Sequence, residues 1–216
     1  MRLAVSVRAL AAAIEQRGQP VLRLGRATTP KLDLLDENSI AAAAAAISAG
    51  LSLVIDATGF LHDTQFLPEK GLRQLDAAHL AYAFAVNATG PAPVMKHFLP
   101  LLARGERAVF ATLSARVGSI TDNRLGGWYS YRASKAALNQ FVRTAAVELK
   151  RRKPEAICVA LHPGTVHTRL SEPFAKSGLD AQSPQFAAHR LLGVIDRLVP
   201  AHSGGFLDQR AEPVPW

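Results

Sequence analysis

Apolar and polar positions along this chain repeat on two different periods. Short apolar runs at residues 21–25, 51–58, 108–113 and 156–161 read as strands, since four to eight apolar residues between turn-formers suit a strand buried on both faces. Residues 31–34 read as a further short strand and residues 205–207 as a last one. Between them, residues 8–17, 38–49, 72–102, 130–152 and 183–198 carry helical signals. The six alanines after Ile40 belong to one of these helices, alanine being the best helix former. Gly90-Pro91 and Pro93 should bend or interrupt the long stretch at 72–102. Strands alternating with helices predict an α/β class: a doubly wound, mostly parallel sheet with helices on both faces, carried by one domain over residues 1–216. Its ligand crevice should lie at the strands' carboxyl ends, where residues 56–59, Ser114 and residues 162–168 fall.

Composition narrows the function classes. An apolar fraction of 49% over 216 residues provides a well-buried core. No run of eighteen uncharged apolar residues exists, so a membrane span is not expected. The opening MRLAVSVRALAAAI carries Arg8 inside its apolar stretch and runs into a helical pattern, which reads as fold rather than export signal. The lone Cys158 sits in an apolar run and reads as a small buried hydrophobe in a reducing cytoplasm. A net charge of +8 raises nucleic acid as a partner, but the dense basic cluster, residues 150–153, closes a helix where cations complement the dipole. No aromatic residues interleave with it, so nucleic acid is not expected. Seven histidines without an H-x-x-x-H pair or partnering cysteines give no metal site.

The chemistry concentrates at Tyr131-Arg132-Ala133-Ser134-Lys135, on a helix whose apolar face is expected to run through Ala133, Ala137, Phe141 and Ala145. Residues at i and i+4 stand one above the other, so Tyr131 and Lys135 can share one small volume. A phenol ionises near pH 10; a neighbouring cation favours the phenolate and makes it a usable general acid or base.

Five blocks in order resemble the short-chain dehydrogenase/reductase family, within it the branch of C-factor and Sniffer-type carbonyl reductases. They are Leu32-Asp33-Leu34-Leu35-Asp36, Asp56-Ala57-Thr58-Gly59, Asn87 in Val86-Asn87-Ala88, the Ser114–Ile120 stretch ahead of the Tyr131/Lys135 helix, and His162-Pro163-Gly164-Thr165-Val166-His167-Thr168. The resemblance implies a Rossmann-like fold and hydride exchange between NAD(P)H and a carbonyl or alcohol. It implies that Tyr131 moves the proton, Lys135 assists it and bonds the nicotinamide ribose, and Asn87 completes a water-linked relay to Lys135. It assigns the carbonyl-polarising hydroxyl to Ser114, although anchoring on Gly118 places Ala115 at the strict position, and Ser119 is a further alternative. For the cofactor it implies Asp33 and Leu34 at adenine, Ala57 and Gly59 beside the dinucleotide, and Pro163, Gly164, Val166 and Thr168 at the carboxamide. Arg26, where an acidic residue would select NAD, suits the 2′-phosphate of NADP. Residues 170–180 occupy the position of a substrate lid, and Trp128, Tyr129 and Phe174 are candidates for an apolar pocket. A homodimer through residues 72–102 and 130–152 is an expectation by analogy.

One block of that family is not visible. No glycine precedes Gly18, and counting back from it sets Val7 where the last glycine of a phosphate-binding turn would stand. Either the first strand and its turn are missing or residues 3–7 form a shortened strand. Two functions follow: an NADP(H)-linked oxidoreductase acting on a small carbonyl or alcohol, or a non-catalytic binding protein of the same fold.

Overall fold

A computed structural model describes residues 7–48, 50–167 and 181–216. Four parallel strands lie in sequence order across one sheet: β1 (Leu53–Asp56), β2 (Ala108–Leu113), β3 (Ala156–His162) and β4 (Phe206–Asp208). Around them stand α1 (Val7–Glu15), α2 (Glu37–Ala45), α3 (Ala77–Phe84), α4 (Pro91–Phe98), α5 (Tyr129–Arg152) and α6 (Pro184–Asp196). Asp36 caps α2 by accepting from Asn38 N and Ser39 N, and Ser183 caps α6 by accepting from Phe186 N.

The period of two sorts the strand side chains into two layers. Ala108 and Phe110 of β2, with Ala156, Cys158 and Ala160 of β3, face a core completed by α4 and α5. Val109, Ala111 and Leu113, with Ile157, Val159 and Leu161, face a second core completed by α1 and α6. Both faces of the sheet are therefore covered, as the alternation of strand and helix predicts. Cys158 is fully buried, which pushes its thiol up to about 12.

Three expectations are corrected. Residues 21–25 and 31–34 do not form strands; they meet in a single bridge, Gly25 to Lys31. An extended segment becomes a strand only beside a partner, and among the described residues β1 pairs only with β2, so neither run joins the sheet. The stretch 72–102 is interrupted beside Gly90-Pro91, as expected, but also in places that those residues did not mark. It breaks into a 3-10 turn (Leu72–Gln74), α3, a π turn (Ala85–Thr89), α4 and a second 3-10 turn (Leu99–Leu101). At the π turn Gly90 N donates to Ala85 O at 2.9 Å. A Cβ at Gly90 would lie 2.7 Å from that oxygen and 2.9 Å from Leu34 Cβ, so glycine permits the close approach.

The third correction concerns α5. Its buried side carries Tyr131, Ser134, Lys135, Leu138, Asn139, Val142, Ala146 and Leu149, while Ala133 and Phe141 are exposed. Lys135 and Asn139 turn inward to Leu113 O and Ser114 Oγ at the end of β2, and Ser134 turns inward to Asn87.

Candidate active site

The site grows from the carboxyl ends of β1 and β2. Asp56, the last residue of β1, is 6% exposed; its carboxylate accepts from Thr58 N (3.0 Å), Thr58 Oγ1 (2.6 Å) and Thr112 Oγ1 (2.8 Å). These bonds tie the two strand ends together. The chain then passes Gly59 to Phe60, whose backbone is gripped at both ends by one side chain. Asn87 Oδ1 accepts from Phe60 N at 2.7 Å, and Asn87 Nδ2 donates to Phe60 O at 2.8 Å and to Ser134 Oγ at 3.0 Å. Asn87 lies in the π turn, so the extra residue of that turn presents the amide to both the segment after β1 and α5. Ser134 Oγ in turn donates to Tyr131 O at 3.0 Å.

Tyr131 and Lys135 sit one turn apart on the same face of α5, 7% and 1% exposed. Tyr131 packs with Leu61, Ala115, Val117 and Trp128, its ring 6.3 Å from that of Trp128. Burial pushes its phenol well above the usual range. Burial accounts for that shift, and the depression expected of a neighbouring cation is not found; Lys135 Nζ donates to Leu113 O at 2.8 Å. Burial lowers the Lys135 ammonium to about 8, against the opposing pull of Asp56.

Ser114 continues from β2, 1% exposed, and donates to Asn139 Oδ1 at 2.6 Å. Ala115 is the residue of this strand end that packs with Tyr131. Ser119 Oγ accepts from Asp122 N at 3.1 Å.

The remaining expected positions are dispersed. Arg26 is exposed at the end of residues 21–25. Asp33 pairs with Lys31 at 3.7 Å, and Leu34 is buried in the first core against Gly90. Ala57 packs into the second core. Pro163 is buried, Gly164 follows it with φ +76°, and Val166 is buried and bridged to Gln182. Thr168, residues 170–180 with Phe174, and Met1 to Ser6 of the expected phosphate turn lie outside the described residues; Val7 opens α1. Tyr129 is partly exposed at the start of α5.

Sequence reasoning did not find Asp56 or Ser134 as site residues. Ser134 was visible in principle, standing three residues after Tyr131 on the same helical face. Asp56 was visible as the first residue of the Asp56–Gly59 block, but with no role of its own.

Asn87 and Lys135 are the polar side chains here that could hold a nicotinamide ribose. A Cβ at Gly59 would stand in ordinary contact, 3.7 Å, with both Asn87 Oδ1 and Lys135 Nζ, so the two polar groups meet beside this glycine. Of the three ammonium donors Leu113 O takes one.

A family model described as enoyl-(acyl carrier protein) reductase matches residues 2–196. C-signal of Myxococcus xanthus is 42% identical over 147 residues, 67% of this chain and 83% of that protein. The 1-hydroxy-2-glutathionyl-2-methyl-3-butene dehydrogenase of Rhodococcus sp. (strain AD45) is 32% identical over 199 residues, 92% of this chain and 84% of that protein. In fold, carbonyl reductase Sniffer of D. melanogaster superposes with a TM-score of 0.82 at 22% identity, covering 100% of this chain and 96% of that one. A short-chain dehydrogenase/reductase from Burkholderia multivorans with bound NADP superposes with a TM-score of 0.79 at 26% identity, covering 99% and 96%. The NADPH-bound carbonyl reductase from chicken fatty liver gives 0.75 at 26%, covering 97% and 82%. A family match over nearly the whole length and a dehydrogenase relative aligned over most of it agree with the parallel sheet and its flanking helices: the chain belongs to the short-chain dehydrogenase/reductase family of oxidoreductases.

Proposed function

We propose that this oxidoreductase interconverts a small carbonyl compound and its alcohol with NADP(H), with Tyr131 moving the proton. The observation that carries the reading is the meeting of Lys135 and Asn87 beside Gly59 at the carboxyl end of β1, with Tyr131 one turn before Lys135 on the same buried face of α5. The dinucleotide, when bound, supplies or takes up the hydride. Tyr131 Oη gives its proton to the substrate oxygen in reduction and receives it in oxidation. Its raised phenol stays protonated at neutral pH, which suits the donor role. Lys135 holds the ribose hydroxyls and supports the phenolate once the proton has left. Asn87 meets Lys135 beside Gly59, the placement a water-linked relay needs, and braces Phe60 and Ser134. Ser114 becomes the carbonyl-polarising donor only by turning its hydroxyl away from Asn139; if it does not, Ser119 or a backbone group takes that role.

Arg26 would face the 2′-phosphate, a preference for NADP that the NADP- and NADPH-bound structural relatives support. Asp33, Leu34 and Ala57 would flank the adenosine side, and Pro163, Gly164, Val166 and Thr168 the carboxamide. The reading treats the 216 residues as one domain in a reducing cytoplasm, consistent with the buried Cys158 thiol. No described helix is long and apolar enough to cross a membrane. A homodimer through α4 and α5 would cover the exposed Phe141, which borders a groove of about 490 Å³ between these helices.

Titration of the chain with NADPH and NADH, followed by thermal shift, tests the reading. NADPH should raise the melting temperature at lower concentration than NADH, and Arg26→Glu should erase the difference. No shift at millimolar levels of either nucleotide would refute it and favour a non-catalytic protein of the same fold.

A further inference from the structure

Outside the site, Glu69, His79 and Ser130 form a buried polar cluster, 3%, 4% and 0% exposed. It lies where α5 begins, two residues before Tyr131. A helix leaves its first N–H groups without internal partners, and a side chain at the N-cap position ordinarily satisfies one of them. Here that position is held by Trp128, in the left-handed region with φ +52°, and it makes no side-chain capping bond. Glu69 substitutes from the loop that follows β1. Its carboxylate accepts from Ser130 N at 3.3 Å through either oxygen and also from Ser130 Oγ, while its backbone oxygen accepts from Trp128 N at 2.5 Å. A carboxylate at this end also meets the positive pole of a 24-residue helix.

Glu69 is itself held. His79 Nδ1 lies 3.2 Å from Glu69 Oε1, and the His79 ring stacks on Phe66 with centroids 4.9 Å apart and planes 3° from parallel. His79 N is fixed by the Asp76 cap of α3 at 2.7 Å. One carboxylate therefore joins the loop after β1, the start of α3 and the first turn of α5. The serine is not placed as a nucleophile, since it is fully buried and its hydroxyl faces the carboxylate rather than the imidazole.

We propose that Glu69 is a positioning residue for the reaction: it clamps the first turn of α5 so that Tyr131 Oη is presented at a fixed depth in the cleft. The inference rests on the role of Tyr131 proposed above. Fraying of a first turn costs little free energy in an ordinary helix, and a displacement near 1 Å at a reacting group lowers turnover by up to about a hundredfold.

Two readouts on the full chain test it: deuterium exchange at the amides of residues 129–132 and NADPH-dependent reduction of a model aldehyde. In Glu69→Ala, exchange at those amides should rise on the order of tenfold. The kcat should fall on the order of tenfold while the KM for NADPH stays within about twofold. Glu69→Gln should restore most of both, because an amide oxygen accepts the same bonds. Leu149→Ala, at the far end of α5, serves as the control that lowers global stability without touching the clamp. Should Glu69→Ala fail to fold, His79→Phe, which keeps the ring and removes the Nδ1 contact, carries both measurements. Unchanged exchange and kcat in Glu69→Ala, a loss no larger than in Leu149→Ala, or no recovery in Glu69→Gln would overturn the clamp. Faster exchange in a protein whose wild type reduces nothing would uphold the clamp and refute the proposed function instead.

Discussion

At the scale of single residues, burial governs the chemistry of the cleft. Tyr131→Phe keeps the packing with Leu61 and Trp128 and removes only the transferable proton. Turnover should drop by about a hundredfold or more, with NADPH affinity within about twofold of wild type, as stopped-flow reduction and equilibrium titration would show. Lys135 sets the alkaline limit. An unfolded lysine keeps its proton to 10.5, whereas the buried one releases it near 8. Reduction should therefore hold up to about pH 8 and decline above it, when the phenolate left by proton transfer loses its neighbouring charge. The same displacement has a stability sign: between pH 8 and 10.5 the unfolded chain binds more protons, so this group makes stability rise with pH across that window. Below it the buried ammonium is a cost, and Lys135→Met should stabilise the fold at pH 7 by roughly 1–3 kcal/mol in urea titration while removing activity.

The elements show where local sequence yields to neighbours. The π turn at Ala85–Thr89 is what turns Asn87 toward both Phe60 and Ser134. It depends on Gly90, whose Cα approaches Leu34 and Ala85 O too closely for a side chain. Gly90→Ala should cost about 1–3 kcal/mol by denaturant unfolding and reduce kcat more than the KM for NADPH, since the Asn87 brace is disturbed first. The strands and helices bounded by strong signals, β2, β3, α5 and α6, were legible from periodicity and flanking breakers. Residues 21–25 and 31–34 were equally apolar yet form no strands, because pairing is a property of the neighbour and not of the run. On α5 the pattern misled in the other direction: Ala133 and Phe141 lie outward, while Lys135 and Asn139 turn inward to partners at the end of β2 and Ser134 to Asn87.

Across the whole molecule, charge and burial combine at the carboxyl end of β3. His162 is held down to about 4 by burial, with Arg116 adding to the effect and Asp208 opposing it. An unfolded histidine takes a proton below 6.5, and the folded one refuses it until about 4. Stability should thus fall as pH drops through that window, by up to about 3 kcal/mol from this group, and His162→Gln should flatten the melting-temperature profile there.

The sequence by itself determined the class of fold and the pair at its centre. Strand-helix alternation requires a parallel sheet, and a spacing of four on a helix puts Tyr131 and Lys135 on one face whatever surrounds them. Only the tertiary structure decided what those groups touch. Leu113 O claims the Lys135 ammonium, Asn139 claims the Ser114 hydroxyl, and Glu69 reaches Ser130 across 61 residues of chain. Such partners are distant in sequence, and their choice follows from which buried donors and acceptors must be satisfied once the layers close.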